Sequence, residues 1–188
     1  MGKIIVTEFV SLDGVMEDPG GAEGYVHGGW ALEIARGDEG DKFKLDETMA
    51  ADALLLGRRT YEGFAEAWPA REGEFADKFN SMPKYVVSST LHSPEWNNTT
   101  VLDGDLPASV AKLRDEHKGD IVVHGSAQLV QGLLEHDLVD ELRLMVFPVM
   151  LGSGKRLFGE SGDKKRFRVA DSRTVGDGVA ILIYVPSR

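Results

Sequence analysis

The strongest constraint on the fold of this chain is a short apolar run that turns directly into a helix. Residues 121–123 (Ile-Val-Val) are typical of a buried strand, and a Gly125-Ser126 turn follows them. Residues 127–135 then place leucines on one stripe, which predicts a helix. Such a turn directs backbone N–H groups outward at the positive end of the helix dipole, which suits a phosphate. Many α/β domains have similar turns that bind nothing, so both interpretations remain open.

Two more strands end in turns rich in polar groups. Residues 53–56 are apolar, and Gly57-Arg58-Arg59-Thr60 leads from them into a helix near Tyr61. Paired arginines at a helix start oppose the dipole unless an anion is present, which favours a phosphate role over a surface pair matched by nearby glutamates. A third strand, residues 84–87, ends in Ser88-Ser89-Thr90. These hydroxyls can contact a phosphate or cap a turn.

The two ends of the chain complete the predicted sheet. Residues 3–10 form a β-branched strand that ends in Ser11-Leu12-Asp13-Gly14, where ligands bind in open α/β sheets. Asp13 either contacts a ligand or forms an Asx turn. Residues 167–175 and 179–185 read as an antiparallel hairpin. We expect one α/β domain over residues 1–188, with a mixed, mostly parallel sheet, helices on both faces and a C-terminal antiparallel hairpin.

A glycine-rich segment separates the first strand from the first long helix. Residues 15–40 contain many glycines together with His27 and Trp30, which favours a functional loop or lid over a core element. The two aromatic side chains either face a substrate or fix the loop to the body of the protein. The composition of the loop does not decide between these roles.

The helix predicted after this loop covers residues 41–51. Asp41, Leu45 and Met49 recur every four residues, which predicts a stripe facing the core. Asp41 at the head of that stripe has two interpretations. It is either an ordinary acid of the first helical turn or a buried acid that binds a nitrogen-rich ring.

Composition excludes several classes of protein. The net charge is −10 and no basic run is visible, so we do not expect nucleic-acid binding. The chain has no cysteine, and its five histidines are scattered, which argues against a metal site. The N-terminus lacks the pattern of a signal peptide, and no apolar run approaches the ~20 residues of a membrane span. We therefore expect a cytoplasmic protein that does not bind membranes.

Together, these motifs resemble the dihydrofolate reductase-like superfamily, most closely the branch that includes the reductase domain of bacterial riboflavin biosynthesis. The resemblance spans about residues 3 to 185. Five segments carry it in the same order as in the family: residues 11–14, 55–61, 87–90, 123–129 and 148–154. Each segment alone is a weak signal, and the five in order are specific.

The resemblance implies NADPH as cofactor. By position, Arg58 with Ser88 and Ser89 would bind the 2′-phosphate of the adenosine, and Arg59 with Thr60 would bind the pyrophosphate. The planar guanidinium of arginine suits a phosphate well. The segment 124–129 would wrap the other side of the pyrophosphate.

The resemblance also implies a position for the nicotinamide ring of the cofactor, near Val10 and Leu12 at the end of the first strand. Dihydrofolate reductases carry a cis peptide bond in the loop that matches Gly125-Ser126, and its presence here is open. The complete cofactor-binding set is Val10, Gly57, Arg58, Arg59, Thr60, Ser88, Ser89, Thr90, His124, Gly125, Ser126, Ala127, Gln128 and Leu129.

The expected activity is hydride transfer from NADPH to a small planar substrate of pterin, pyrimidine or carbonyl type. Asp41 matches the helix carboxylate that binds the pterin in dihydrofolate reductases, and if buried it would have a raised pKa and assist protonation. Asp13 is the second candidate catalytic residue. Leu12, Trp30 and Leu45 would line the substrate side.

Two alternatives belong to other functional classes. A non-catalytic dinucleotide-binding protein would keep the arginine and serine contacts but lack a working substrate pocket. A dimeric scaffold would use residues 146–151 as an interface. Related reductases pair through sheet edges or late strands, so by analogy we also expect the reductase to be a homodimer.

Overall fold

A computed structural model describes residues 1–160 and 163–187 of the chain. The strands are β1 (Lys3–Val10), β2 (Ala51–Gly57), β3 (Lys84–Val87), β4 (Thr99–Leu102), β5 (Asp120–Val123), β6 (Glu141–Val146), β7 (Phe167–Val175) and β8 (Val179–Pro186). The helices are α1 (Gly37–Ala50), α2 (Arg58–Ala67), α3 (Glu74–Ser81), α4 (Leu106–Glu116) and α5 (Ala127–Glu135).

All eight strands form one sheet in the order β4-β3-β2-β5-β1-β6-β8-β7. The first six of these are mutually parallel, whereas β8 runs antiparallel to both β6 and β7. Central strands are buried on both faces, which explains why β1, β2 and β5 read as nearly continuous apolar runs. The predicted mixed sheet with a C-terminal antiparallel hairpin is confirmed.

Helices cover both faces of this sheet. Helices α4 and α5 pack on one face, where their leucines and valines join side chains of β1, β2 and β5. Helices α2 and α3 pack on the other face, where Tyr61 and Phe79 contribute to a second cluster with Trp96. A third apolar cluster contains Trp30, Phe147 and Ile181, and Phe43 of α1 packs against it.

Helix α1 differs from its prediction in both its start and its inward face. It begins at Gly37 rather than at Asp41, and its buried residues are Gly40, Lys44, Glu47 and Thr48. Asp41 and Met49 are exposed and Leu45 is only half-buried, so the predicted inward stripe is wrong. The helix turns its polar side to the sheet because the sheet offers polar partners there, as described below.

The glycine-rich loop is packed against the body of the protein. Trp30 is only 2% exposed, and the hydroxyl of Tyr25 donates a hydrogen bond to the carbonyl of Ser153 at 2.6 Å. Val15 forms an isolated antiparallel bridge with Arg156. Among the residues that the structure describes, no helix has both the length and the apolar character needed to cross a membrane.

Candidate functional site

Three turns that follow parallel strands meet at one edge of the sheet. Strands β2 and β3 are neighbours, and Gly57 lies level with Val87 in their register. Strand β5 flanks β2 on the other side, and the N–H of Gly57 donates a hydrogen bond to the carbonyl of Gly125 at 3.0 Å. The turns that begin with Arg58, Ser88 and His124 therefore open on the same rim.

The glycines of this rim allow a very close approach of two chain segments. A Cβ atom on Gly57 would lie 2.1 Å from the hydroxyl oxygen of Ser126, so only glycine fits there. Gly125 has a φ of +107°, and a Cβ there would lie 2.9 Å from the Thr60 hydroxyl. The Gly125-Ser126 peptide bond is cis. The close approach of Gly57 to Gly125 and Ser126 places the first turns of α2 and α5 next to each other.

The N-termini of these two helices leave their amides available. Gly57 precedes α2 and has no side chain, and the side chain of Ser126 makes no capping hydrogen bond to α5. Neither helix has an acidic residue in its first turn. The first amides of a helix need an acceptor from outside the helix, and the dipole favours an anion there. Two adjacent helix N-termini therefore form an environment suited to phosphate groups.

Arg58 and Arg59 are both exposed on this rim. Arg58 lies 3.2 Å from Glu62, and both side chains are about half exposed. The surface pairing considered from sequence is thus present. An exposed pair of this kind contributes little to stability, about 0–1 kcal/mol, so it does not prevent Arg58 from binding an anion.

The hydroxyls after β3 cap their own turn. The Ser88 hydroxyl oxygen accepts hydrogen bonds from the N–H groups of Thr90 and Leu91 at 3.2 and 3.1 Å. Ser89 and Thr90 are exposed. Ser88 therefore caps its own turn, and Ser89 and Thr90 keep their hydroxyls at the surface of the rim.

Asp13 joins the turn after β1 to the loop that follows β6. Its carboxylate accepts hydrogen bonds from the Ser11 hydroxyl at 2.6 Å and from the N–H groups of Leu151 and Gly152 at 3.2 and 2.8 Å. The Ser11 hydroxyl and these two amides lower the pKa of Asp13 to about 2. Asp13 is therefore ionised at neutral pH, and its carboxylate joins the two loops.

Neither of the two interpretations of Asp41 holds: the residue is not buried, and α1 begins at Gly37, so Asp41 lies beyond the first helical turn. Its side chain is 65% exposed, and it binds Nε of Arg36 at 2.5 Å. The inward-facing stripe headed by Asp41 is therefore wrong, because α1 turns Lys44 and Glu47 toward the sheet instead.

Trp30 lies in the core of the glycine loop. Its Nε1 donates a hydrogen bond to the Glu17 carbonyl at 2.8 Å, and its ring packs edge-on against Phe147 at 5.5 Å. It therefore fixes the loop. Its edge also helps to line a cavity of about 340 Å³ beside Val149 and Met150. Leu12 is 64% exposed at the end of β1.

A buried polar cluster under α1 was missed from sequence. Lys44 forms an ion pair with Glu47 and donates a hydrogen bond to the Thr7 hydroxyl at 2.8 Å. Arg143 of β6 approaches the other oxygen of Glu47 at 3.3 Å. Burial opposes ionisation of Glu47, but the nearby positive charges, that of Lys44 first, together with the hydrogen bond from Lys44, outweigh it and hold the pKa of Glu47 below its ordinary value. The i, i+3 spacing of Lys44 and Glu47 was the available sequence signal.

His124 and Glu8 connect this cluster to the rim. The ring of His124 lies 5.4 Å from that of Phe79, and burial together with the charge of Lys44 lowers the pKa of His124 to about 3. Glu8 is 8% exposed, and its Oε1 has no hydrogen-bond partner among residues 1–160 and 163–187. Burial raises the pKa of Glu8 well above its ordinary value. An acid inside an otherwise apolar strand was the sequence signal for Glu8.

This sheet topology, with two helix N-termini adjacent at the rim of strand-end turns, defines an α/β protein of the dihydrofolate reductase-like class. More narrowly, the chain belongs to the RibD C-terminal domain family, whose model matches residues 2–181. The resemblance inferred from the five sequence segments is thereby confirmed.

Similar proteins span nearly the whole chain. YyaP and YwjB of Bacillus subtilis strain 168, both uncharacterised, are each 29% identical to it, over 187 and 179 residues. The aligned region covers 97% of this chain and 94% of YyaP, and 95% of this chain and of YwjB.

Solved structures show the same fold. A Shewanella sp. PV-4 protein assigned to riboflavin biosynthesis is 25% identical and superposes with a TM-score of 0.81, with 99% of each chain covered. A pyrimidine reductase-like protein of Corynebacterium diphtheriae superposes at 0.68 with 14% identity, covering 100% of this chain and 92% of its own. RibD of Acinetobacter baumannii superposes at 0.69 with 16% identity; all of this chain matches 59% of that protein.

Proposed function

We propose that this protein is an NADPH-dependent reductase that transfers hydride to a small planar substrate of pyrimidine, pterin or carbonyl type. One observation carries the proposal: the turns after β2, β3 and β5 meet at one rim, with Gly57 and Gly125 in direct backbone contact. Membership of a reductase-domain family supports the reaction class. The cofactor supplies the hydride, and the protein orients the reactants and excludes water.

Each part of the rim has a proposed task. Arg58 with Ser89 binds the 2′-phosphate, and Arg59 with Thr60 binds the pyrophosphate. The amides at the starts of α2 and α5 complete the anion site, because their helices are not capped by side chains. Because Gly57 has no side chain, Ser126 can pack directly against the backbone of this turn.

The substrate side is proposed to lie at the end of β1. The N–H of Leu12 donates a hydrogen bond to the Val149 carbonyl at 2.8 Å, which joins this strand end to the loop lining the cavity of about 340 Å³. A cavity of this size lies within the usual range for small ligands, about 300–1,000 Å³. Val10 is buried beside Leu12 and would form the apolar floor under the nicotinamide.

The cofactor assignment is tested by fluorescence titration with NADPH and NADH. We expect tighter binding of NADPH and a loss of about tenfold or more in Arg58→Ala, because a charge-assisted hydrogen bond contributes about 1.5–3 kcal/mol. Arg168→Ala is the matched control, since Arg168 is an exposed arginine of edge strand β7. Absence of dinucleotide binding, or an equal loss in both variants, would contradict the proposal.

Turnover is tested separately from binding. NADPH oxidation is followed with a panel of pyrimidine, pterin and quinone substrates. Oxidation that depends on one of these classes supports the reductase and identifies its substrate. Tight binding without oxidation across the panel would favour the non-catalytic dinucleotide-binding protein instead.

We also propose that the reductase is a homodimer, which uses the exposed part of the expected segment 146–151 rather than its first residue. Val146 pairs with Val10 on one side and Ala180 on the other, so this part of the expected interface is inside the sheet. Met150 and Val26 are 74% and 79% exposed and line the same cavity. Sedimentation should give a dimer that dissociates in Met150→Glu, and a monomeric wild type would contradict the proposal.

A further inference from the structure

Glu8 is the most unusual polar group near the rim. It lies in β1 between Val6 and Val10, which face the core cluster under α5. The residue is 8% exposed, and its Oε1 is buried without a hydrogen-bond partner. Buried polar atoms are nearly always paired, so an unpaired carboxyl oxygen in the described structure points to a partner that is not part of the chain.

The carboxyl of Glu8 lies beside the glycine of the β5 turn. Its Oε1 is 3.7 Å from the point that a Cβ of Gly125 would occupy, and the Thr60 hydroxyl is 2.9 Å from the same point. Met16 approaches this point at 3.5 Å and gives the site an apolar side. A carboxyl group and a hydroxyl group therefore flank the turn to which the pyrophosphate is assigned above.

The charges around Glu8 come from α1. Burial raises the pKa of Glu8, the charge of Lys44 opposes this rise, and the charge of Glu47 adds to it. The ion pair between Lys44 and Glu47 offsets much of the effect that the positive charge of Lys44 has on Glu8. His124 lies next to Gly125 in sequence and has a pKa of about 3, so it adds no positive charge at neutral pH. Burial therefore shifts the protonation equilibrium of Glu8 toward its neutral form, which has one O–H donor.

We propose that neutral Glu8 donates a hydrogen bond to a pyrophosphate oxygen of the dinucleotide at the Gly125-Ser126 turn, and that ionisation of Glu8 expels the dinucleotide. This inference rests on the proposed function. An ionised carboxylate only accepts hydrogen bonds, and it repels a phosphate that lies close to it in a desolvated site. Glu8 thus acts as a binding residue that makes cofactor affinity dependent on pH.

The coupling between protonation of Glu8 and binding of the dinucleotide determines how the affinity changes with pH. A ligand that binds only protonated Glu8 loses affinity as the pH rises above the pKa of Glu8 in the free protein, by up to about tenfold per pH unit. Glu8→Gln keeps an N–H donor at every pH. Glu8→Met has a similar length but no donor, so it should bind more weakly without any dependence on pH.

The experiment is a fluorescence titration with NADPH between pH 7.5 and 9.5 at constant ionic strength. The 2′-phosphate, with a second pKa of about 6, is already ionised in that range. We expect the wild-type affinity to fall with pH, Glu8→Gln to stay constant and exceed the wild type at the highest pH, and Glu8→Met to be weaker than Glu8→Gln throughout. Equal slopes in wild type and Glu8→Gln would overturn the inference.

Two further measurements separate the possible failures. The ligand 2′-phospho-ADP-ribose keeps the pyrophosphate but lacks the nicotinamide ring. If its affinity shows the same pH dependence, the contact between Glu8 and the pyrophosphate is supported. If its affinity does not depend on pH, that contact is overturned. Binding of NADPH that does not change with pH overturns the role of Glu8 and leaves the reductase proposal intact. Absence of binding at every pH overturns both.

Urea unfolding without ligand gives an independent readout of the same group. Glu8 has a raised pKa in the folded state, so its contribution to stability is complete below the unfolded pKa near 4.5 and is lost as the pH rises. The wild type should therefore lose stability relative to Glu8→Gln with rising pH. A purely structural Glu8 would show this change without the change in NADPH affinity.

Discussion

The N–H of Gly57 donates a hydrogen bond to the carbonyl of Gly125 at 3.0 Å, and this contact joins the turns after two neighbouring strands. A side chain at residue 57 would separate them, because its Cβ would lie 2.9 Å from the backbone nitrogen of Ser126. The contact therefore determines the shape of the proposed cofactor rim.

We expect Gly57→Ala to lower the free energy of unfolding by about 1–3 kcal/mol, as overpacking does, and to weaken NADPH binding. Urea unfolding and titration measure the two effects. Gly63→Ala in α2 is the matched control: no atom of the described part of the chain lies within 4 Å of its Cβ position, so it should stabilise the helix by about 0.5–1 kcal/mol. Equal effects of the two variants would count against the close contact.

Lys44→Met should be strongly destabilising. It removes the ammonium from Glu47, whose side chain is 1% exposed, and breaking a buried pair typically costs about 3–5 kcal/mol. We expect the lower end of this range, because Arg143 still reaches Glu47. Chemical denaturation gives the value. Lys42→Met, which breaks the exposed pair with Asp46 in the same helix, should cost less than about 0.5 kcal/mol. Similar losses would contradict the burial of the Lys44 pair.

Much of the fold could be predicted because it depends on local patterns. The bounds of β1, α5 and β7 agree with the sequence reading, since β-branched runs and leucine periodicity act within each segment. The convergence of Gly57 and Gly125 followed from topology, since neighbouring parallel strands end at the same edge of the sheet.

The orientation of α1 could not be predicted in this way. Periodicity assumes that apolar residues face the core, but Lys44 and Glu47 face it here because Thr7 and Arg143 provide polar partners. Those partners lie far away in sequence, so no local pattern reports them. The same assumption led to the prediction that Asp41 heads a stripe facing the core.

Asp41→Asn should leave stability within about 0.5 kcal/mol of the wild type, as expected for an exposed residue that forms a surface pair with Arg36. The pH profile of turnover should also be unchanged, because an exposed carboxylate at this position is not the proton donor. Steady-state kinetics from pH 5 to 9 tests this. A drop in kcat that depends on pH would restore Asp41 as a catalytic candidate.

His124 should make the protein sensitive to acid. Its pKa is about 3 in the folded protein and near 6.5 when unfolded, so its stabilising contribution is present above pH 6.5 and is lost as the pH falls toward 3. His124→Gln should remove up to about 1.4 kcal/mol per pH unit from the slope of unfolding free energy against pH. Urea unfolding at pH 7, 6 and 5 measures it. The same change of slope in His92→Gln, at an exposed histidine, would contradict this origin.

The most direct test of the shared cofactor rim is hydrogen–deuterium exchange with and without NADPH. We predict simultaneous protection of the segments that contain Arg58 to Thr60, Ser88 to Thr90 and His124 to Leu129, with no change in edge strand β7. Protection confined to the groove of about 830 Å³ lined by Glu66, Asp77 and Trp96, with none at the three turns, would contradict the account.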